Sequence, residues 1–148
     1  MSIRGLPPAA LALVLSAGAA LAQSKPVDEL SGRVTEKNYL RLERFVASHV
    51  DRVVGLKLTI KKSGTDDKLD ASESDGQFVV LLPGQREPKS EIVANEGFEL
   101  RGGDYVFDGF FLVKYGGFRQ GTKSYALSRV DEAKVRLSNA KIKTVRLK

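Results

Sequence analysis

Between Val53 and Lys62 the hydrophobic pattern becomes strictly alternating, and this stretch constrains the fold most. Val54, Leu56, Leu58 and Ile60 alternate with Gly55, Lys57, Thr59 and Lys61. Side chains two apart share one face of a strand, so the spacing predicts a half-buried strand with Lys57 and Lys61 outward. Burying four such side chains at about 2 kcal/mol each contributes about 8 kcal/mol. That is comparable with the net stability of a whole domain, about 5–15 kcal/mol. A one-residue slip would expose all four, so the register is fixed.

Upstream the period is helical. Leu42, Phe45, Val46 and His49 fall at i, i+3, i+4 and i+7, one face of a helix over Thr35 to Val50. Thr35 is the expected N-cap, and Val34 and Tyr39 have the spacing of a hydrophobic staple. Arg41, Glu43, Arg44 and Ser48 supply the wet side.

Downstream the chain reads as short strands between turns. Ser63–Gly76 is expected to be a polar loop, and Gln77–Leu82 a strand stopped at Pro83-Gly84. Ser90–Ala94 and Phe98–Arg101 follow. Asp108-Gly109 sits inside the most hydrophobic segment, Tyr105–Tyr115, and reads as a hairpin turn, with one bulged strand as the alternative. Gly116–Gly121 is expected to be a connection, Thr122–Val130 a strand, Asp131–Lys134 a tight connection, and Val135–Leu137 and Lys141–Lys148 the last strands. The fold class is therefore mainly β: a small barrel or sandwich with one N-terminal helix. An oligonucleotide/oligosaccharide-binding-like (OB-like) barrel is the favoured shape.

Met1–Arg4 is a short, positively charged start, followed by an apolar run from Leu6 to Leu15 interrupted only by Pro7 and Pro8, then Ala20-Leu21-Ala22 before Gln23. That is the pattern of a secretory signal peptide over residues 1–22. Residues 23–32 are expected to be a flexible leader and residues 33–148 a single mainly-β domain. The expected location is periplasmic or secreted, with no membrane anchor after signal removal. The chain has no cysteine, so packing alone must hold it. The whole chain carries net charge +6, and loss of Arg4 with the signal lowers it by one. This excess favours anionic partners without identifying nucleic acid.

Motifs for chemistry fail one by one. His49 is the single histidine and lies on the apolar helix face, where packing or contact with the helix C-terminus is expected before catalysis. One histidine and no cysteine do not make a zinc site. From Asp70 the acidic loop has Asp75 where an EF-hand needs glycine, and Leu81 where it needs glutamate. In Gly116–Ser124, Thr122 intervenes between the last glycine and Lys123, which breaks a phosphate-binding loop. No cofactor and no metal ligand set are expected.

Two features are less generic. Most of the aromatic residues lie between Phe98 and Tyr125. Phe110, Phe111, Leu112 and Val113 put apolar groups on both strand faces, so the second face needs a covering helix or a partner. The terminal stretch is basic, with Lys141, Lys143, Arg146 and Lys148 and no acid. A bulge near Lys143-Thr144 would set Lys141, Arg146 and Lys148 outward, and pairing beside Val53–Lys62 would add Lys57 and Lys61. These four basic residues, with Phe118 and Arg119, are the candidate ligand-binding residues. The expected function is an exported, non-catalytic binding or accessory domain for an anionic cell-envelope component or another exported protein. The alternatives are an envelope glycan or peptide hydrolase, and a single-stranded nucleic-acid-binding barrel.

Overall fold

A computed structural model describes residues 26–63, 68–83 and 88–148. The signal-peptide reading of Met1–Ala22 lies outside the described residues. Among them, nine strands and two short helices follow in the order β1 (Val27–Val34), α1 (Tyr39–Ala47), β2 (Val53–Lys61), β3 (Asp70–Ser74), β4 (Gln77–Leu81), β5 (Lys89–Ala94), β6 (Phe98–Arg101), β7 (Asp104–Arg119), β8 (Thr122–Val130), α2 (Glu132–Leu137) and β9 (Ile142–Arg146). No helix among the described residues is long and apolar enough to cross a membrane.

The strands form one mixed sheet in the order β9-β1-β2-β7-β8-β5-β4-β3, with β6 paired to β7 off this path. β9, β1 and β2 run parallel, as do β5 and β8; the remaining pairs are antiparallel. The chain is mainly β as expected, but the sheet does not close into a barrel. It curls instead. Three strand spacings separate β7 from β4, about 14 Å along a flat sheet. Yet the rings of Phe107 on β7 and Phe78 on β4 lie 4.9 Å apart. The curl is what lets one face of the sheet wrap α1. Tyr39, Leu42 and Val46 of α1 share a buried core with Leu30, Leu56, Leu58, Ile60, Phe78, Ile92, Phe107, Phe111 and Leu127.

The alternation in β2 holds: Val54, Leu56, Leu58 and Ile60 are buried, and Lys57 and Lys61 are exposed. Other expectations need correction. The leader expected over residues 23–32 is strand from Val27, with Val27 and Leu30 buried. Its acids hid it. Asp28 is satisfied by His49, and Glu29 by the Thr144 hydroxyl at 2.8 Å. The helix is shorter than Thr35–Val50, and Thr35 does not cap it. Asn38 holds that corner, accepting from the Thr35 amide at 2.8 Å and donating to the Arg33 carbonyl at 2.9 Å. The Ser63–Gly76 loop contains a strand, because Ala71 is buried and pairs with Val80; Asp66 and Asp67 lie outside the described residues.

β7 is one strand of 16 residues, so Asp108-Gly109 is not a hairpin turn. That turn needs positive φ at both central residues, and neither has it. The pair instead marks a change of neighbour. On one edge Asp104–Phe107 pairs with β6, and from Phe110 the same edge pairs with β8. Irregular register comes later, between Tyr115 and Gly117. A Cβ at Gly109 meets no atom within 4 Å. Gly109→Ala is therefore expected to be neutral or to stabilise by up to about 1 kcal/mol, since glycine weakens a strand interior. Thermal unfolding checks this; a loss above about 1 kcal/mol would mean that Gly109 is needed for a turn.

The second face of β7 is covered, by a helix the sequence reading did not foresee. Asp131 caps α2, accepting from the Ala133 amide at 3.0 Å, so Val135–Leu137 is helix and not strand. Val135 buries Phe110 and Val27. The described residues thus include two helices, one on each face of the sheet.

Candidate functional site

α1 lies across the sheet with Arg41, Arg44, Phe45 and Ser48 in one strip, spaced i, i+3, i+4 and i+7. Opposite this strip stands β9. Between them is an open cleft of about 390 Å³. Leu30 of β1, Phe45 of α1, and Val145 and Leu147 at β9 give it an apolar floor and wall. Arg41, Arg44 and Arg146 stand at its rim, and no acidic residue lines it. Among the described residues none of these three guanidinium groups has a side-chain hydrogen bond or an ion pair. Apart from Asp28, which meets His49 beside the cleft, the paired acids lie elsewhere: Asp104 takes Arg33, Asp51 takes Lys114, Glu99 takes Arg101 and Glu132 takes Arg136. The unpaired Arg41 and Arg44 guanidiniums over an apolar floor, with Arg146 at the open edge, suit a carboxylate or phosphate attached to an apolar body.

β9 forms without the expected bulge, running in unbroken register from Ile142 beside Val27 to Arg146 beside Ser31. All five residues are exposed, because β9 is the edge of the sheet. Alternation therefore puts Lys143 on the side of Val145 and Leu147, facing the helix, and Ile142, Thr144 and Arg146 on the other side. The four basic residues do not share a face, although Arg146 still borders the cleft at the open edge. β1 stands between β9 and β2, so Lys57 does not lie directly beside this strand; Ser31 separates it from Arg146. Lys61 is a further turn of the pleat away, level with Asp104.

Phe118 and Arg119 are the end of β7, where Gln120-Gly121 turns the chain into β8. Phe118 is 59% exposed. Two strands, β1 and β2, separate β7 from β9, and Phe118 runs six residues past the level where β2 begins. That places the tip roughly 20 Å along the strands from Ile142. The structure does not bring the hairpin tip and the basic strand into one site. Its exposed aromatics, Tyr115 and Phe118, are likewise away from the arginine cleft.

Beside the cleft, Ser48, His49 and Asp28 mimic a hydrolase triad. Ser48 Oγ is 3.1 Å from His49 Nδ1, and His49 Nε2 is 2.7 Å from Asp28 Oδ2. The Phe45 carbonyl competes with this arrangement. His49 Nδ1 is also 2.6 Å from the Phe45 carbonyl, which can only accept. In the tautomer that satisfies this carbonyl, Nδ1 carries the hydrogen and has no lone pair for the serine proton. The Ser48 hydroxyl itself donates to the same carbonyl at 3.0 Å. His49 is buried and stacks on Phe45 with ring centroids 4.3 Å apart. It is a latch between β1 and the end of α1, close to the role in packing and helix-end contact that its position implied. Among the described residues no group of three or more histidine, aspartate, glutamate or cysteine side chains could hold a metal ion.

Arg41 and Arg44 are the residues that sequence reading missed. They were legible only as the wet side of a helix; no local signal ties them to a strand about a hundred residues later. No protein-family model, no curated protein and no solved structure matches this chain.

Proposed function

We propose that this chain is an exported, non-catalytic binding or accessory domain with an anionic partner, seated in the cleft between α1 and β9. The carrying observation is the cleft itself: apolar below, rimmed by Arg41, Arg44 and Arg146, and free of acids. Export is supported by the pattern of Met1–Ala22, and the partner is then a cell-envelope component or an acidic part of another exported protein. A hydrolase would need a nucleophile with a base, or two facing carboxylates. The Ser48 hydroxyl donates to the Phe45 carbonyl, which also occupies His49 Nδ1, and the cleft offers no carboxylate.

The test is a triple variant, Arg41→Gln, Arg44→Gln and Arg146→Gln. All three side chains border solvent, so the fold should be kept. Retention of the wild-type protein on envelope material at low salt is expected to fall at least tenfold in the variant, with a flatter dependence on salt. Equal retention of the two proteins would remove the cleft as the binding seat.

A further inference from the structure

β9 offers more than charge. The Val27 amide donates to the Lys141 carbonyl at 2.6 Å, and the Leu147 amide donates to the Ser31 carbonyl at 2.7 Å. These two bonds bracket the parallel ladder between β9 and β1 and fix its phase. Lys141, Lys143, Val145 and Leu147 turn their backbone toward β1. Ile142, Thr144 and Arg146 therefore turn their N–H and C=O groups away from the sheet. Among the described residues nothing pairs with these groups. The opposite edge of the sheet is different. At β3 the Ser63 side chain and amide bond to both backbone groups of Ala71, at 2.8–3.1 Å. One edge is partly closed and the other is open.

We infer that β9 takes up an extended acidic peptide segment of a partner protein as an added strand, with an apolar side chain of that segment resting in the adjoining cleft. This deepens, and rests on, the reading of the cleft as an anion-binding seat. Three observations converge. The open backbone groups supply the ladder that strand addition needs. Lys141, Lys143, Arg146 and Lys148 line that edge with no acid among them, and Arg41 and Arg44 extend the positive field across the cleft. Val145 and Leu147 give an apolar wall directly beside the ladder. The same charges disfavour a second copy of this chain: pairing β9 with β9 would bring two basic edges without an acid together. An edge that repels itself and attracts an acidic strand selects its partner by charge and holds it by backbone.

The probe is a synthetic peptide of about seven residues alternating glutamate and valine, long enough to cover an ordinary strand. Its comparison is the same peptide N-methylated at alternate residues, which keeps every charge but removes donors on one edge. Two N-methylated forms, one in each phase, are measured. The parent is expected to bind the intact protein at low salt, with one methylated form at least tenfold weaker and the other close to the parent. On the protein side, Ile142→Pro removes an outward donor at the first position of β9, where proline is tolerated, and should weaken the parent peptide by a similar factor. Equal binding of all three peptides would overturn strand addition and leave the anion-binding reading standing. Binding of vesicles rich in an anionic phospholipid, with no peptide binding, would do the same. If neither peptide nor vesicle binds, the underlying reading falls too.

Discussion

Replacing Gly97 with alanine is expected to destabilise the protein by about 2–4 kcal/mol, a large share of a typical domain's stability. Two costs combine. Gly97 has φ +87°, a left-handed conformation that a residue with a Cβ adopts only at a cost of about 1–2 kcal/mol. The added methyl would also sit 2.5 Å from Cε2 of Phe111 and 2.7 Å from its Cζ. Phe111 cannot step aside cheaply. It is wholly buried and faces Phe107 at 6.0 Å between ring centroids. Overpacking of this kind costs about 1–3 kcal/mol. The turn joining β5 to β6 thus depends on a missing side chain. Denaturant unfolding measures the effect, and a variant within about 0.5 kcal/mol of wild type would show that the turn relaxes freely.

The second large effect concerns Tyr39 and alkaline pH. Its ring is wholly buried at the start of α1, and its hydroxyl donates to the Ser90 carbonyl at 3.0 Å, with the Val80 carbonyl at 3.4 Å. This contact ties the helix to β4 and β5, the far limb of the curled sheet. Tyr39→Phe is expected to cost about 1–2 kcal/mol at neutral pH. Burial pushes the Tyr39 phenol well above its ordinary value, so the fold holds it neutral where the unfolded chain would release the proton. The resulting stability is complete below about pH 10, the unfolded value, and is lost as pH rises beyond it. Tyr105 and Tyr125 are shifted in the same direction, again through burial. Wild type should therefore lose stability above pH 10, and Tyr39→Phe should lose it less steeply. Identical declines in the two proteins would contradict the assignment.

What the sequence displayed was mostly what depends on neighbours along the chain. The β2 alternation and the apolar helix face were readable because burial follows a fixed period. Gln77–Leu82 came within one residue of β4, and Phe98–Arg101 and Thr122–Val130 matched β6 and β8, because turn residues bound them. Asp108-Gly109 was misread because its composition suits a turn, whereas its φ values are set by neighbours on both edges of β7. β1 was hidden by two acids whose partners, His49 and Thr144, come 21 and 115 residues later. For α2 a local signal existed: Asp131 followed by Glu132 is a helix start. The functional half was less legible. The basic terminal strand stood out, but its joining with Arg41 and Arg44 arises only when β1 places β9 across from the helix.

The pairing of β9 with β1 also bears on the order in which the molecule assembles. Thr144 meets Glu29 across 115 positions of chain, so this union closes a very long loop and brings little reward until the intervening strands are in place. The parallel pair β1 and β2 can dock around α1 much sooner. The arginine cleft is therefore expected to be among the last parts of the molecule to form. A chain folded only that far would hold most of its interior, but no seat for a partner.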